Sequence, residues 1–272
     1  MSPGGATPGE ATAGGGTAGG AASAVEFRLL GPVGVLDGRT GRLLRPAGDR
    51  QRALLCALLA HAGRPVRPAA LIGELWGGEP PADPAGALHA QVSRLRRLLR
   101  RGTGGREWIR TLPAGYRLVP DAATVDAVRF TRLADEGLAL LARDPGRGGT
   151  LLRDALALWR GPALQDSRGG PLCAAEARRL DALRLTALEG LYATALGRGR
   201  HAEVTGELER LTLAHPLHEP FHDQLMLALH RSGRRAEALA AYRRARQALV
   251  RAHGAEPGPA LRARLAGILQ HA

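Results

Sequence analysis

The stretch Leu88–Arg101, "LHAQVSRLRRLLRR", threads five arginines and a histidine through a ladder of leucines. Advancing about 100° per residue places Leu88, Val92, Leu95 and Leu99 within about 60° of one another. His89, Ser93, Arg97 and Arg100 fall on the opposite side, followed further round by Ala90, Arg94 and Arg101, while Arg96 flanks the apolar stripe. The segment is therefore a helix with one packed face and one face rich in hydrogen-bond donors. Taken alone, such a face is equally an Arg-solubilised wet surface. The residues on either side decide between the two.

Upstream, "EPPADP" is a rigid loop in which Asp83 suits the N-cap and Pro84 the first helical position. Before it, "GDRQRALLCALLAHAG" and "RPAALIGELWGG" carry apolar residues at helical spacing and close at Gly63 and Gly77–Gly78. "VEFRLLG", "PVGVLDG" and "RTGRLLRP" give three short strands ahead of those helices. Downstream, "EWIRTL" and "YRLVP" flank the turn "PAG", predicting a hairpin with a three-residue loop that ends in Gly. Three strands, three helices and a hairpin are the plan of a winged helix-turn-helix, in the strand-first form of OmpR/PhoB-type effector domains. The opening segment then stands where such a fold carries its recognition helix.

Charge distribution agrees. The chain has 272 residues, a formal charge of +13 and no Lys. Residues 25–120 hold 16 Arg against 7 acids, and residues 121–272 hold 22 against 17, so the basic excess is concentrated in the first part, as contact with a polyanion requires. Lacking Lys, the chain offers no P-loop ATPase, PLP or Schiff-base chemistry. Cys56 and Cys173 form no CxxC or zinc-ligand pair and read as reduced core residues. No charged region precedes an apolar run at the start and no apolar run is long enough for a membrane span, so the expected location is the cytoplasm, associated with the nucleoid.

Residues 1–24 contain one charge and no aromatic, and are expected to be a disordered Gly/Ala-rich tail; their GxGxxG spacing lacks the strand and helix of a dinucleotide site. Residues 25–120 form the winged-helix domain. Residues 121–272 read as all-α, with helices near 126–143, 147–159, 171–197, 200–214, 217–231, 234–253 and 258–270. "GRHAEVTGELERL" and "GRRAEALAAYRRA" align at an offset of 34, the period of tetratricopeptide (TPR) repeats, so this part is predicted to be a TPR-like stack. The expected fold is thus mainly α, an α+β winged helix followed by helical repeats, with a core for each part.

Within the donor-rich face, Arg suits guanine O6/N7, and His89, Ser93 or Gln91 can offer single bonds to base edges. Arg100 and Arg101, near the helix end, suit phosphate, as do Arg110 and Arg117 of the hairpin, and Arg96 beside the stripe is counted among the DNA-binding residues as well. The angles leave Arg94 and Arg97 equal candidates for base reading. Trp76 fits a core plug or an indole N–H contact to phosphate. His218 and His222 are four apart, a spacing that can bind metal, but only two strong ligands converge and there is no HExxH. No GxSxG, carboxylate pair or Cys–His arrangement supports catalysis, so no enzyme, metal or cofactor is expected.

The blocks "VEFRLLGPVGV", "LIGELWGGEPPADPAGALHAQVSRLRRLL" and "IRTLPAGYRLVP" resemble the DNA-binding domain of the actinomycete antibiotic regulatory proteins, the SARP family. "LLRDALALWRGPAL", "LTLAHPLHEPFHDQLMLALHRSGRRAEALAAYRRARQAL" and "GAEPGPALRARL" are similar to that family's bacterial transcriptional activation domain. The resemblance spans about 25–270 and is to the small type, without an ATPase module. It implies a pathway-specific activator of an antibiotic gene cluster, binding direct repeats in double-stranded DNA as a head-to-tail pair and recruiting RNA polymerase holoenzyme. It also implies that Gly77, Gly78, Glu79, Pro80, Pro81, Ala82 and Asp83 form the polymerase-contact loop. Gly86, where the family has a bulkier residue, is expected to weaken the first turn of the recognition helix by roughly 0.5–1 kcal/mol relative to Ala.

Overall fold

The computed structural model describes residues 25–120 and 125–270; the segment 1–24 expected to be a disordered tail lies outside the described residues. Strands β1 (Glu26–Arg28), β2 (Gly34–Asp37) and β3 (Arg42–Leu44) form an antiparallel sheet in sequence order. Phe27 pairs with Val35, and both are fully buried against the helices. Helices α1 (Asp49–Ala60), α2 (Pro68–Trp76) and α3 (Pro84–Gly102) follow, and β4 (Ile109–Leu112) and β5 (Gly115–Leu118) form the hairpin.

The loop of that hairpin differs from expectation by one residue. Only Pro113 and Ala114 lie outside the strands, and Gly115 pairs with Leu112. Gly is required there, because φ is +129° and a Cβ would meet the Val66 carbonyl oxygen at 2.1 Å. That close approach lets Val66 and Tyr116 exchange backbone hydrogen bonds, attaching the hairpin to the segment before α2.

The apolar stripe of α3 is buried as its periodicity predicts: Leu88, Val92, Leu95 and Leu99 are each 1% exposed or less. Such burial stabilises by about 1.5–3 kcal/mol per side chain. Asp83 caps α3 by accepting a hydrogen bond from Gly86 N–H at 2.9 Å, with Pro84 in the first turn. A Cβ on Gly86 would lie 2.1 Å from the Asp83 carboxylate, so the glycine that weakens the first turn also gives the cap its room.

Helices α4 (Asp126–Leu140), α5 (Pro145–Leu156), α6 (Pro171–Gly197), α7 (His201–Ala214), α8 (Glu219–Arg231), α9 (Arg235–His253) and α10 (Pro259–Gln270) make up the rest. Helix α5 starts two residues before its predicted position. Pro145, which reads as a break, is its N1 residue under an Asp144 cap that accepts from Arg147 N–H, repeating the Asp83–Pro84 device. The 34-residue offset is visible in detail. Gly199 and Gly233 turn with φ of +76° and +75°, and Arg200 and Arg234 each pair with the Glu three residues on.

The apolar core divides inside α6. One cluster runs from Phe27 through the winged helix to α4, α5 and the first half of α6, ending at Ala187. The other joins Leu196 to α7, α8, α9 and α10. The winged helix therefore shares one interior with α4, α5 and the first part of α6, while α7–α10 pack around another. Phe27 meets Trp108 edge-on at 5.1 Å, and Phe130 meets Trp159 at 5.2 Å.

Two buried carboxylates cross this seam in opposite directions. Asp126 of α4 accepts from Leu29 N–H at 2.8 Å and Leu30 N–H at 3.2 Å, and pairs with Arg160. Glu74 of α2 accepts from Leu172 N–H at 2.8 Å and Cys173 N–H at 3.1 Å, capping α6, which has no side-chain cap of its own at Gly170. Burial pushes the Asp126 carboxyl up, opposed by those two N–H groups and by Arg160. Cys56 and Cys173 are both free and buried. The Cys56 thiol beside it, then burial, push the Cys173 thiol far above its ordinary value, so it stays protonated and inert.

Candidate nucleic-acid interface

Against its buried stripe, α3 turns an open basic face outward. His89, Arg94, Arg97, Arg100 and Arg101 are exposed and Ser93 is half-buried. Among the described residues, none of these arginines has an ion-pair or side-chain hydrogen-bond partner. Arg97, Arg100 and Arg101 converge on one shallow hollow with Gly105. Four guanidinium groups on one helix face without a counter-carboxylate form a surface that repels itself and favours an anion.

Arg96 stands apart. Its Nε donates to Ile109 O at 3.1 Å and its second guanidinium nitrogen to Thr111 Oγ1 at 2.8 Å, with the Glu107 carboxylate 3.6 Å away. It latches the hairpin to one flank of α3. At the helix end, Thr103 Oγ1 donates to Leu99 O and accepts from Trp108 Nε1 at 2.7 Å, fixing the same junction. The orientation of the hairpin relative to α3 is thus set by hydrogen bonds in addition to packing.

On the hairpin, Arg110 and Arg117 are direct cross-strand partners. Like charges opposite one another destabilise a strand pair unless a counter-ion is shared. Arg110 is exposed, and Arg117 is half-buried with its Nε lacking a hydrogen-bond partner.

The opposite flank of α3 faces α1. Gln51 donates to the Gln91 backbone oxygen at 3.1 Å and to its side-chain oxygen, which engages Gln91 within the protein and removes it from the open face. Trp76 is half-buried against the core, with the Arg50 guanidinium over its ring at 5.9 Å. Between α2 and α3, Gly77, Gly78, Glu79, Pro80, Ala82 and Asp83 are exposed and Pro81 half-buried. Arg50 and Arg168 also border the open face, and the sequence pattern singles out neither. Nothing local marks Arg168, which shares a hollow with α3 because residues 160–165 lie back across the end of β1.

The remaining chemical candidates are engaged structurally. His218 Nε2 lies 2.6 Å from Glu189 Oε1, and His222 Nε2 bonds the Pro216 carbonyl at 3.0 Å. Asp223 pairs with Arg264 through both oxygens, and Glu219 accepts from Gly258 N–H. These bonds hold α8 to α6 and α10. Among the described residues no group of three or more His, Cys, Asp or Glu is arranged for a metal, and no helix is long and apolar enough to cross a membrane.

Fold and basic face together define a winged-helix transcriptional regulator of OmpR/PhoB type joined to a helical activator domain. The family described as "Bacterial transcriptional activator domain" matches residues 125–269, and "Transcriptional regulatory protein, C terminal" matches 46–118. The chain is 41% identical over 250 residues to the transcriptional regulator RedD of Streptomyces coelicolor, covering 90% of this chain and 70% of RedD. It is 36% identical over 255 residues to the regulatory protein DnrI of Streptomyces peucetius, covering 91% of each. Mycobacterium tuberculosis EmbR, solved in complex with a low-affinity phosphopeptide, superposes with a TM-score of 0.83 at 34% identity, over 91% of this chain and 65% of that one. The protein belongs to the SARP family of transcriptional regulators.

Proposed function

We propose that the protein is a sequence-specific DNA-binding transcriptional activator, pathway-specific for an antibiotic or other secondary-metabolite gene cluster. The observation that carries this reading is the outward face of α3, with four arginines free of acidic partners beside the latched hairpin. With α3 in a major groove, Arg97 or Arg94 reads guanine O6/N7 while His89 and Ser93 reach base edges. Arg100, Arg101, Arg110 and Arg117 hold phosphates. Arg96 acts through the hairpin, which it positions. Two protomers bind head to tail on direct repeats about one helical turn, ~10–10.5 bp, apart, so that both lie on one face of the duplex. The exposed loop Gly77–Asp83 then meets RNA polymerase, consistent with the regulatory names of its relatives.

A gel shift of the full chain on the DNA upstream of its own and neighbouring genes, across a salt series, tests the DNA reading. A specific complex that weakens steeply with salt is expected, and no such complex would overturn it. Transcription in vitro from the shifted fragment should rise on adding the protein; a fall would replace activation with repression.

A further inference from the structure

The hairpin occupies only one flank of α3. From the helical rotation, Arg96 lies on the hairpin side, Arg97 points outward, and Arg94, Leu98 and Gln91 lie on the other side. There α3 borders an open hollow of about 730 Å³, whose walls include Gly48 and Arg50 of the α1 start and, from the activator half, Arg168. We propose that Arg168 is a DNA phosphate contact, so that the activator half grips the duplex backbone on the flank opposite the hairpin. The proposal rests on the reading of α3 as a DNA-binding helix and extends the footprint to a second domain.

Arg168 is held in place by the segment that carries it. Arg160 N–H donates to Leu30 O and Leu164 N–H to Leu29 O, both at 2.8 Å, laying residues 160–165 along the end of β1. Arg52 Nε donates to the carbonyl of Asp166 at 2.9 Å, two residues before Arg168. Just after it, Gly170 abuts Glu74, whose carboxylate holds the first turn of α6. A backbone fixed on both sides presents a side chain that is 86% exposed. With its backbone already fixed, binding a phosphate orders only the side chain.

The surrounding charge fits a phosphodiester. Arg50, Arg94 and Arg168 share the hollow. The acid there, Asp49, is paired with Arg52 and lies 3.8 Å from the Arg168 guanidinium, so it neutralises part of this charge and leaves an excess. With α3 inserted in a major groove, the hairpin and Arg168 face the two phosphate walls of that groove.

The test compares Arg168→Ala, Arg168→Glu and Arg97→Ala in the full chain. Each is titrated by fluorescence anisotropy against a labelled duplex from upstream of the gene and an unrelated duplex of equal length, at several salt concentrations. Arg168→Ala should weaken both duplexes by the same factor and make the slope of log K against log salt shallower by about one. Arg168→Glu should weaken both further. Arg97→Ala should mainly lose preference for the upstream duplex. If Arg168→Ala binds both duplexes with unchanged affinity and slope while Arg97→Ala is impaired, Arg168 is no contact and the DNA reading stands. If the wild-type chain shows no salt-dependent binding to either duplex, the DNA reading fails first.

Discussion

The two cores of this protein are built by different means. The first, from β1 to the middle of α6, joins residues far apart in sequence through aromatic edge contacts and two buried carboxylates, Asp126 and Glu74. The second, from the end of α6 to α10, stacks neighbouring helices through Leu225, Leu229 and the small residues Ala238, Ala241 and Ala245, all buried. Besides His218–Glu189 and Asp223–Arg264, which tie α8 to its neighbours, it carries exposed local ion pairs such as Arg200–Glu203 and Arg234–Glu237. Exposed pairs of this kind add little to stability, so its cohesion comes from packing. The first core therefore joins the winged helix to the helical half, whereas the second includes no residue of α3.

The largest way to break this contrast is Asp126→Ala. It strands two buried backbone N–H groups and Arg160, and is expected to cost about 3–5 kcal/mol. Thermal unfolding followed by the fluorescence of Trp108 and Trp159 should report the loss in the first core; an unchanged midpoint would show that the seam is dispensable. Leu229→Ala, at a site 1% exposed in the second core, should cost roughly 2–5 kcal/mol. DNA affinity at low temperature should remain unchanged, and a parallel loss of affinity would show that the cores are not separable.

A smaller effect separates reading from holding. Arg97→Ala should lose about 1–3 kcal/mol on a specific site and relax preference at one base, whereas Arg100→Ala should weaken all sequences alike. Binding to a set of single-base variants of the shifted fragment distinguishes the two, and equal, sequence-blind losses would mean that α3 holds DNA without reading it. Smallest is a pH effect confined to the second core. Burial, partly opposed by the Pro216 carbonyl, lowers the His222 pKa from its ordinary value, and burial lowers that of His215 as well. The unfolded chain then binds more protons, so stability falls as pH drops below about 6.5 toward the folded values. His222→Phe should flatten this dependence in melts recorded from pH 7 to 5, leaving that of the first core unchanged.

Much of the interface is legible in the amino-acid order alone. The stripe of Leu88, Val92, Leu95 and Leu99, the Asp83–Pro84 cap and the order of strands and helices are local signals, carried by periodicity and neighbouring residues. The same signals place Arg94, Arg97, Arg100 and Arg101 on an open face. They run out at Arg96, whose angle at the edge of the stripe says nothing of the carbonyl it meets, and at Pro145, which reads as a break although Asp144 caps a helix there.

By itself, then, the sequence determined the winged helix-turn-helix, the run of helices with its 34-residue period, and which face of α3 is basic, because each depends on residues within a few turns of one another. Only the tertiary structure decided that the first core crosses from one half to the other, that Arg96 latches the hairpin, that Gln91 is engaged by Gln51, and that Arg168 stands beside α3. Such contacts join residues well separated along the chain, by 13 positions between Arg96 and Ile109 and by 98 between Glu74 and Leu172. No periodicity encodes them; they exist because burying the shared core brings distant parts of the chain together.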